Sequence, residues 1–297
     1  MAKPFDPALY PFPSHYFDRG AGLRMHYLDE GSGAPVLMVH GNPSWSFYYR
    51  KLVLALRDTH RCIAPDHIGM GWSDKPGDAL YDYTLAQRID DLEALLASLQ
   101  LSEPLTLVIH DWGGMIGMGW AIRHPEQVAR LVILNTAAFP LPAGKRLPWL
   151  LKLARTPLGA VLVRGFNAFA WGTTRVGCTR RKMSAQISTA YRAPYDSWAN
   201  RIATLRFVQD IPLHLGDPSY ALVHHIAGNI ELFKDTPALL VWGGKDFVFD
   251  HDFLAHWRGS IPKAKLCYLP DAGHYVLEDT ADEVIPLIAD FVRFSHS

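Results

Sequence analysis

The sequence predicts an α/β protein with a mostly parallel central sheet, flanked by helices and interrupted by a helical insertion. Short runs of Val, Ile and Leu, bounded by turn residues, alternate with stretches of helical spacing. Runs that are apolar at every position are typical of strands buried on both faces of a parallel sheet. One long interval, 139–233, has helical spacing and many aromatic residues but lacks such a run. This alternation favours a layered architecture with right-handed crossovers.

The predicted elements follow in chain order. Two strands, 15–17 and 23–28, are joined by the turn Gly20-Ala21-Gly22. The buried strands are predicted at 35–40, 61–65, 105–110, 131–135, 238–242 and 265–268. Helices are predicted between them at 48–56, 85–99 and 113–124.

The chain therefore divides into a core and a cap. Residues 1–138 and 234–297 are predicted to form the α/β core, and residues 139–233 a helical cap (lid). The cap is inserted between the sixth and seventh strands of the main sheet. An insertion at this point covers the ends of the strands, where open α/β sheets place their sites.

Composition excludes several classes of protein. The 297 residues are 49% hydrophobic and 20% charged, which excludes a disordered chain. Balanced charge, 29 Lys+Arg against 29 Asp+Glu, argues against a nucleic-acid partner. Three cysteines without CxxC spacing favour neither a disulfide framework nor a metal site. The N-terminus lacks a signal-peptide pattern, and charges interrupt the most apolar stretch, 147–171, so we expect a cytoplasmic protein without a membrane span.

The segment 107–117, Leu-Val-Ile-His-Asp-Trp-Gly-Gly-Met-Ile-Gly, is the most informative for chemistry. A buried strand runs into a helix through a turn that holds Asp111, with Gly113 and Gly114 behind it. This is the layout of a nucleophile elbow, where small residues let the helix approach the strand closely. The usual elbow carries serine in a G-x-S-x-G frame, whereas here an aspartate occupies the nucleophile position. The alternative is that Asp111 only caps the helix.

An aspartate in this position changes the chemistry. It is already ionised at neutral pH, and the helix N-terminus favours its charge. It can therefore attack carbon directly and form a covalent ester, which leaves a histidine free to act on water or on a proton in a later step.

Two later segments supply the partners of such a nucleophile. Asp246 follows the predicted strand 238–242 and a pair of glycines, and His274 lies on the loop after the strand 265–268. Nucleophile, acid and histidine thus occur in the chain order of the α/β-hydrolase triad. We predict Asp111 as nucleophile, His274 as base and Asp246 as the acid that orients it.

The segment His40-Gly-Asn-Pro-Ser-Trp lies where this fold provides an oxyanion hole. The backbone donors would be Asn42 and Trp112, the residue after the nucleophile. Both residues also carry side-chain donors that could hold a halide or a carboxylate. The alternative for Trp112 is a purely structural role in the core.

These motifs together resemble the haloalkane dehalogenase branch of the α/β-hydrolases. The acid at Asp246, with Asn42 and Trp112, is similar to the third dehalogenase subfamily. The motifs HGNPSWSFYYR, PDHIGMGWSDKPG, HDWGGMIGMGW, NTAAFPLP, APYDSWANRI and RFVQDIPL resemble more narrowly the Ole-pathway β-lactone decarboxylases of bacterial long-chain olefin biosynthesis. The resemblance runs from about Gly22 to the C-terminus.

The narrower resemblance implies conversion of a cis-β-lactone with two alkyl chains into a cis-alkene and CO2. Asp111 could attack the ring carbon that bears oxygen, or it could attack the carbonyl with the oxyanion held by Asn42 and Trp112. The resemblance also implies a hydrophobic small-molecule substrate and association with other olefin-pathway enzymes. No metal or organic cofactor is expected, because nucleophile, acid and base are all side chains.

Other functions fit the same residues. A hydrolytic haloalkane dehalogenase would use the same set. An epoxide hydrolase would need cap tyrosines such as Tyr191 and Tyr195, and a non-catalytic receptor would bind a ligand without turnover. Apolar cap residues are candidates for the pocket, with packing between cap helices as the alternative: Trp149, Leu150, Leu151, Leu153, Leu158, Val161, Leu162, Phe166 and Phe169.

Overall fold

A computed structural model of the chain describes residues 5–294. The predicted core segments 1–138 and 234–297 therefore extend beyond the described residues at both ends. Eight strands form one sheet: β1 His15–Gly20, β2 Leu23–Glu30, β3 Pro35–Val39, β4 Arg61–Pro65, β5 Leu105–Asp111, β6 Val128–Thr136, β7 Ala238–Gly243 and β8 Lys265–Leu269.

The order of the strands in the sheet is β1-β2-β4-β3-β5-β6-β7-β8. β1 pairs with β2, and β2 with β4, in antiparallel orientation. All other pairs are parallel, with Leu37 opposite Leu107 and Ile133 opposite Leu240. The predicted α/β fold with a mostly parallel sheet is confirmed, and the carboxyl ends of β3, β5, β7 and β8 meet at one edge.

Twelve α-helices accompany the sheet within residues 5–294. They are α1 Arg50–Leu56, α2 Leu85–Leu99, α3 Gly113–Ala121, α4 Trp149–Ala154, α5 Pro157–Phe166, α6 Ala168–Val176, α7 Ala185–Arg192, α8 Ile202–Gln209, α9 Tyr220–Asn229, α10 His251–Ser260, α11 Val276–Asp279 and α12 Ala281–Phe294. α4 to α9 all lie between β6 and β7, and the described chain forms no strand there. The helical insertion at this point is therefore confirmed.

The core lies on both faces of the sheet because three of its inner strands are buried at every position. β3, β5 and β7 are buried throughout. Alternate residues of β5 point to opposite layers, so Leu107 packs with α2 and α3 whereas Val108 packs with α1 and α12. A smaller apolar cluster, which includes Leu147, Leu151, Val163 and Val208, holds the cap together.

Most helices and strands depart from their predicted bounds by a few residues; β1 extends to Gly20 rather than 17, and β2 to Glu30 rather than 28. α3 ends at Ala121 rather than at 124, since Pro125 disfavours helical conformation in the residue before it. α1 begins at Arg50 because the preceding residues Ser46–Tyr49 form a 3₁₀ turn. β6 begins at Val128, three residues early, where the half-buried Ala129 and Arg130 break the apolar run. Within the described chain, none of the helices combines the length and apolar character needed to cross a membrane.

Candidate active site

Asp111 lies at the turn where β5 ends and α3 begins. Its φ of 51° places it in the left-handed region, which is uncommon for a residue with a side chain. The Thr136 hydroxyl donates to the Asp111 carbonyl and fixes the turn from β6. A Cβ at Gly113 would clash with the Val39 carbonyl, so glycine is required for α3 to start this close to β3. The predicted elbow is present in the backbone.

The carboxylate of Asp111 is held by backbone donors. The Asn42 N–H donates to Asp111 Oδ1 at 2.6 Å, and the Trp112 N–H also hydrogen-bonds the carboxylate. The N-cap residue of α3 is Trp112, whose side chain makes no capping hydrogen bond, so Asp111 lies one residue before the cap position. Asp111 Oδ2 instead faces His274, with 3.8 Å between Oδ2 and Nε2.

His274 lies between two carboxylates. Its Nδ1 is 2.7 Å from Asp246 Oδ2. The other oxygen of Asp246 accepts from the N–H groups of Val248 and Phe249, at 2.8 and 3.1 Å, which fixes the carboxylate on its loop. Asp111, His274 and Asp246 are all buried. The structure thus brings together in one line the three residues that the sequence predicted from separate strands.

Burial and neighbouring charges shift the pKa values of His274 and Asp111 in opposite directions. Burial disfavours the imidazolium of His274, but Asp246 and Asp111 outweigh it and raise the pKa of His274 above its usual value. Burial raises the pKa of Asp111, whereas His274 and the N–H groups of Asn42 and Trp112 favour its charged form. The two carboxylates therefore favour the imidazolium form of His274.

Asn42 and Trp112 occupy the predicted positions beside Asp111. Both backbone N–H groups point at the Asp111 carboxylate. The Asn42 side-chain amide donates to the Thr204 carbonyl of α8 at 3.0 Å, which ties the loop after β3 to the cap. The Trp112 indole packs edge-on against Phe207, with 5.3 Å between ring centroids, and also lines the cavity. Trp112 thus packs in the core and also lines the cavity, so both alternatives that the sequence left open for it are present.

A mostly apolar cavity opens above the carboxylate. Its polar lining is Asn42, Asp111, Thr173 and His274, together with the indole of Trp112. The remaining wall comes from α3, the cap and the loop after β7: Met115, Ala137, Phe139, Pro140, Leu141, Leu147, Leu151, Phe169, Val208, Ile211, Pro212, Phe247, Val248, Phe249 and Phe253. Such a cavity suits a hydrophobic ligand with one reactive polar group.

The predicted cap residues divide into two groups. Leu151 and Phe169 line the cavity, and Trp149, Leu150, Leu153 and Leu162 line an adjoining apolar groove between α4, α5 and α6. The prediction is wrong for Leu158, Val161 and Phe166, which line neither and lie exposed on the outer face of α5. Helical spacing shows which residues share a face but not which face points inward.

The two tyrosines of the epoxide-hydrolase alternative do not lie in the cavity. The Tyr191 hydroxyl donates to Glu278 Oε1 at 2.8 Å, and Glu278 also pairs with the buried Arg50. The Tyr195 hydroxyl lies 3.4 Å from the Ser44 carbonyl. Both residues are buried. Neither hydroxyl is placed to donate to a substrate above Asp111.

Two positioning residues were missed by the sequence analysis. His110 Nε2 is 3.0 Å from the His274 carbonyl, and burial together with His274 holds the pKa of His110 well below its usual value, so a neutral ring donates to the loop. The Asn135 amide exchanges two hydrogen bonds with the Gly243 backbone, at 2.8 and 3.0 Å, and extends the pairing of β6 and β7 toward Asp246. The only sequence signal was their place at strand ends.

A group of potential metal ligands lies away from this site. Asp250, His251 and Asp252 form it at the start of α10. The Lys145 ammonium already pairs with both aspartates, at 2.8 Å from Asp252 Oδ2. Because an ammonium occupies the acidic side of the group, the contacts fit an ordinary surface ion pair.

The chain is similar in sequence to a known family and to named proteins. Residues 34–281 match the family model described as alpha/beta hydrolase fold. The chain is 60% identical over 285 residues to the cis-3-alkyl-4-alkyloxetan-2-one decarboxylase of Shewanella oneidensis, covering 96% of this chain and 89% of that protein. It is 50% identical over 292 residues to the Xanthomonas campestris protein of the same name, covering 96% and 97%.

Haloalkane dehalogenases are more distant. Haloalkane dehalogenase 2 of Mycobacterium tuberculosis is 33% identical over 287 residues, covering 96% of each chain. The crystal structure of haloalkane dehalogenase DatA from Agrobacterium tumefaciens superposes with a TM-score of 0.84 at 24% identity, covering 97% of this chain and 98% of that one. That likeness concerns the fold.

Proposed function

Because the chain belongs to the alpha/beta hydrolase fold family, we propose that it is an enzyme that converts cis-β-lactones bearing two alkyl chains into cis-alkenes and CO2. The observation that carries the proposal is a buried carboxylate, Asp111, at the elbow beneath an apolar cavity. Two proteins named cis-3-alkyl-4-alkyloxetan-2-one decarboxylase, at 60% and 50% identity, support the substrate class.

In the first step Asp111 acts as the nucleophile. Its Oδ2 attacks ring carbon C4, which bears the ring oxygen, and the C4–O bond breaks. The electron pair of that bond stays on oxygen, so the product is an ester of Asp111 with a free carboxylate on C3. The Asn42 N–H already holds Oδ1, which becomes the carbonyl oxygen of this ester, and the Trp112 N–H hydrogen-bonds the same carboxylate.

In the second step the C3–carboxylate bond breaks and CO2 leaves. Its electron pair forms the C3–C4 double bond, and the C4–O bond to Asp111 breaks to regenerate the carboxylate. Inversion at C4 followed by anti elimination retains the cis arrangement of the two chains. Atoms and charge balance without water, so this route accounts for a cavity wall that is almost wholly apolar.

We assign charge stabilisation to His274, positioned by Asp246. A negative charge moves from Asp111 to the released carboxylate and back again. The His274 ring, 3.8 Å from Asp111 Oδ2 and raised in pKa by two carboxylates, can stay protonated throughout and interact with both anions. Attack at the lactone carbonyl is less well supported, because the two backbone donors it would need for the oxyanion are engaged with Asp111.

The experiment that tests the proposal compares two substrates on purified protein. A cis-dialkyl β-lactone is followed by gas chromatography of the alkene, and a bromoalkane by bromide release. We expect alkene far faster than bromide, and loss of alkene in Asp111→Asn. Rapid bromide without alkene would instead establish the dehalogenase activity that the 33% identical relative carries in its name.

A second measurement decides whether water takes part. After turnover in ¹⁸O-labelled water, the peptide that contains Asp111 is analysed by mass spectrometry. Decarboxylation without hydrolysis leaves its mass unchanged, because the C4–O bond breaks on the carbon side. Incorporation of ¹⁸O into Asp111 would show that the ester is hydrolysed, as in a dehalogenase, and would contradict the two steps above.

The setting of the reaction is also a proposal. We place the protein in the cytoplasm, as one enzyme of bacterial olefin biosynthesis. Free Cys62, Cys178 and Cys267 support a reducing compartment, and the substrate class supports the pathway. Co-purification of the chain with the enzyme that forms the lactone from its native host would test both.

A further inference from the structure

The cap carries a charge asymmetry that the whole chain conceals. Residues 139–195 contain ten Lys or Arg residues and neither Asp nor Glu, so all 29 acidic residues of the neutral chain lie elsewhere. Some of the ten are neutralised, since Arg180 pairs with Asp271 and Glu283. Lys152 and Arg175 are exposed and pair with no acidic residue in the part of the chain that the structure describes.

The same helices expose large apolar side chains. Trp149 of α4 is 70% exposed, and Leu158 and Phe166 of α5 are 62% and 74% exposed. Trp171 of α6 is 46% exposed, and the Arg175 guanidinium lies 3.8 Å above its ring. We call this surface, Trp149, Leu158, Phe166 and Trp171 with Lys152 and Arg175, the cap face.

The cap face is continuous with the route to Asp111. Trp149 and Trp171 line the apolar groove between α4, α5 and α6. Leu151, Phe169 and Thr173 line both this groove and the cavity above Asp111. Leu162 lines the groove, and Leu158 and Phe166 lie one helical turn from it on either side. The outer face of α5 is therefore continuous with the groove.

We propose that the cap face docks onto the surface of an anionic lipid bilayer. Exposed Trp and Leu beside basic residues are the composition of helices that lie in the membrane interface. Basic residues supply attraction to anionic headgroups, and no acidic residue of 139–195 opposes it. Docking in this orientation turns the groove toward the hydrocarbon.

Docking would give the enzyme its substrate. A lactone with two long alkyl chains partitions into lipid, and from there it can enter the groove and reach Asp111 without crossing water. This delivery step rests on the proposed function, whereas docking itself does not and is measured in the absence of substrate.

The test is cosedimentation of the full chain with vesicles. We compare phosphatidylcholine vesicles with vesicles of equal parts phosphatidylcholine and phosphatidylglycerol. We expect strong binding to the anionic vesicles, lost at about 1 M NaCl, where charges are screened beyond ~3 Å. A basic residue at an anionic surface strengthens partition roughly fivefold, so the double variant Lys152→Gln/Arg175→Gln should bind roughly 25-fold more weakly. The matched control is Lys234→Gln/Arg258→Gln, on the exposed surface of the core, which should bind like the wild type.

A second variant tests the apolar contribution. Leu158→Ser/Phe166→Ser should weaken binding to anionic vesicles at least tenfold, since each side chain loses apolar surface that would enter the interface. Leu80→Ser, equally exposed on the core, should not. Alkene formation from detergent-dispersed lactone should be unchanged in Lys152→Gln/Arg175→Gln.

Three outcomes would overturn the proposal. They are equal binding to both kinds of vesicle, absence of binding to either, and equal weakening in the cap-face and control variants. A concentration-dependent dimer in sedimentation velocity that Leu158→Ser/Phe166→Ser abolishes would assign the face to a second copy of the chain. Vesicle binding without lactone turnover would leave docking intact and refute the proposed function.

Discussion

Asp246→Asn separates the two roles that His274 can have. In the wild type, Asp246 Oδ1 accepts from the N–H groups of Val248 and Phe249, and Oδ2 faces His274 Nδ1 at 2.7 Å. An Asn side chain keeps its oxygen toward the two N–H groups and therefore turns its NH₂ toward Nδ1. Since NH₂ only donates, Nδ1 must accept and the proton moves to Nε2.

The size of the effect depends on what His274 does. The variant loses a charge-assisted hydrogen bond and the charge of Asp246, so burial lowers the pKa of His274 and disfavours the imidazolium, with only Asp111 still favouring it. If the imidazolium only stabilises charge, the cost is about 1.5–3 kcal/mol, or roughly 10- to 150-fold in the rate of alkene formation. If Nε2 must instead accept a proton from water, a ring protonated at Nε2 cannot serve and the loss is roughly 10⁴-fold.

The assay follows alkene by gas chromatography under steady-state and single-turnover conditions, with intact-protein mass spectrometry for the Asp111 ester. NMR titration of His274 reports its pKa in both proteins. Asp252→Asn, at a half-buried aspartate six positions further along the chain, is the control and should stay within twofold of the wild type. A loss near 10⁴-fold with accumulated ester would refute the assignment of His274 to charge stabilisation.

Three further perturbations have defined outcomes. The kcat/KM for alkene formation should fall as pH rises through the raised pKa of His274, because the imidazolium exists only below that pKa. It should also fall at low pH, where Asp111 is protonated. A kcat/KM that climbs steadily with pH would contradict the role of the imidazolium. Gly41→Ala places a Cβ against the Cβ and carboxylate of Asp111, so that side chain must shift; kcat should drop roughly 10²-fold, and the overpacking should cost about 1–3 kcal/mol in urea unfolding. Wild-type turnover would show that catalysis tolerates this displacement of the carboxylate. Glu278→Ala leaves the buried Arg50 guanidinium unpaired and should lower the free energy of unfolding in urea by about 3–5 kcal/mol. The control Glu283→Ala, on the surface, should lower it by at most about 1 kcal/mol. Equal unfolding midpoints for the two variants would disprove this difference.

The sequence predicted best the features that local patterns determine. β4 and α2 have their predicted bounds, 61–65 and 85–99, because an unbroken apolar run ends at a proline in the first and Thr84 caps the second. The elbow was predictable because an apolar strand, an isolated aspartate and two glycines are adjacent in the chain. Asp246 and His274 were predictable because each follows a strand whose end must lie at the same edge of the sheet.

Features set by tertiary contacts were not predictable. The Tyr191 hydroxyl donates to Glu278, which is 87 positions distant in the chain, and no local pattern indicates such a pair. Leu158 and Phe166 follow the same helical spacing as Leu162, yet only Leu162 faces the groove. The side-chain amide of Asn42 lies against α8 because the cap folds over the loop after β3, and this contact depends on the packing of six helices.

The uneven distribution of charge has a consequence that net charge hides. A molecule with zero formal net charge at pH 7 should bind weakly to any ion exchanger at that pH. Residues 139–195 hold ten cations and no anions, and three of the cations, Lys145, Arg180 and Arg181, pair with acidic residues of the core. The other seven should retain the chain on a cation exchanger despite its neutrality. Near a negatively charged surface the chain should orient before contact, so that the cap and the opening of the cavity face that surface.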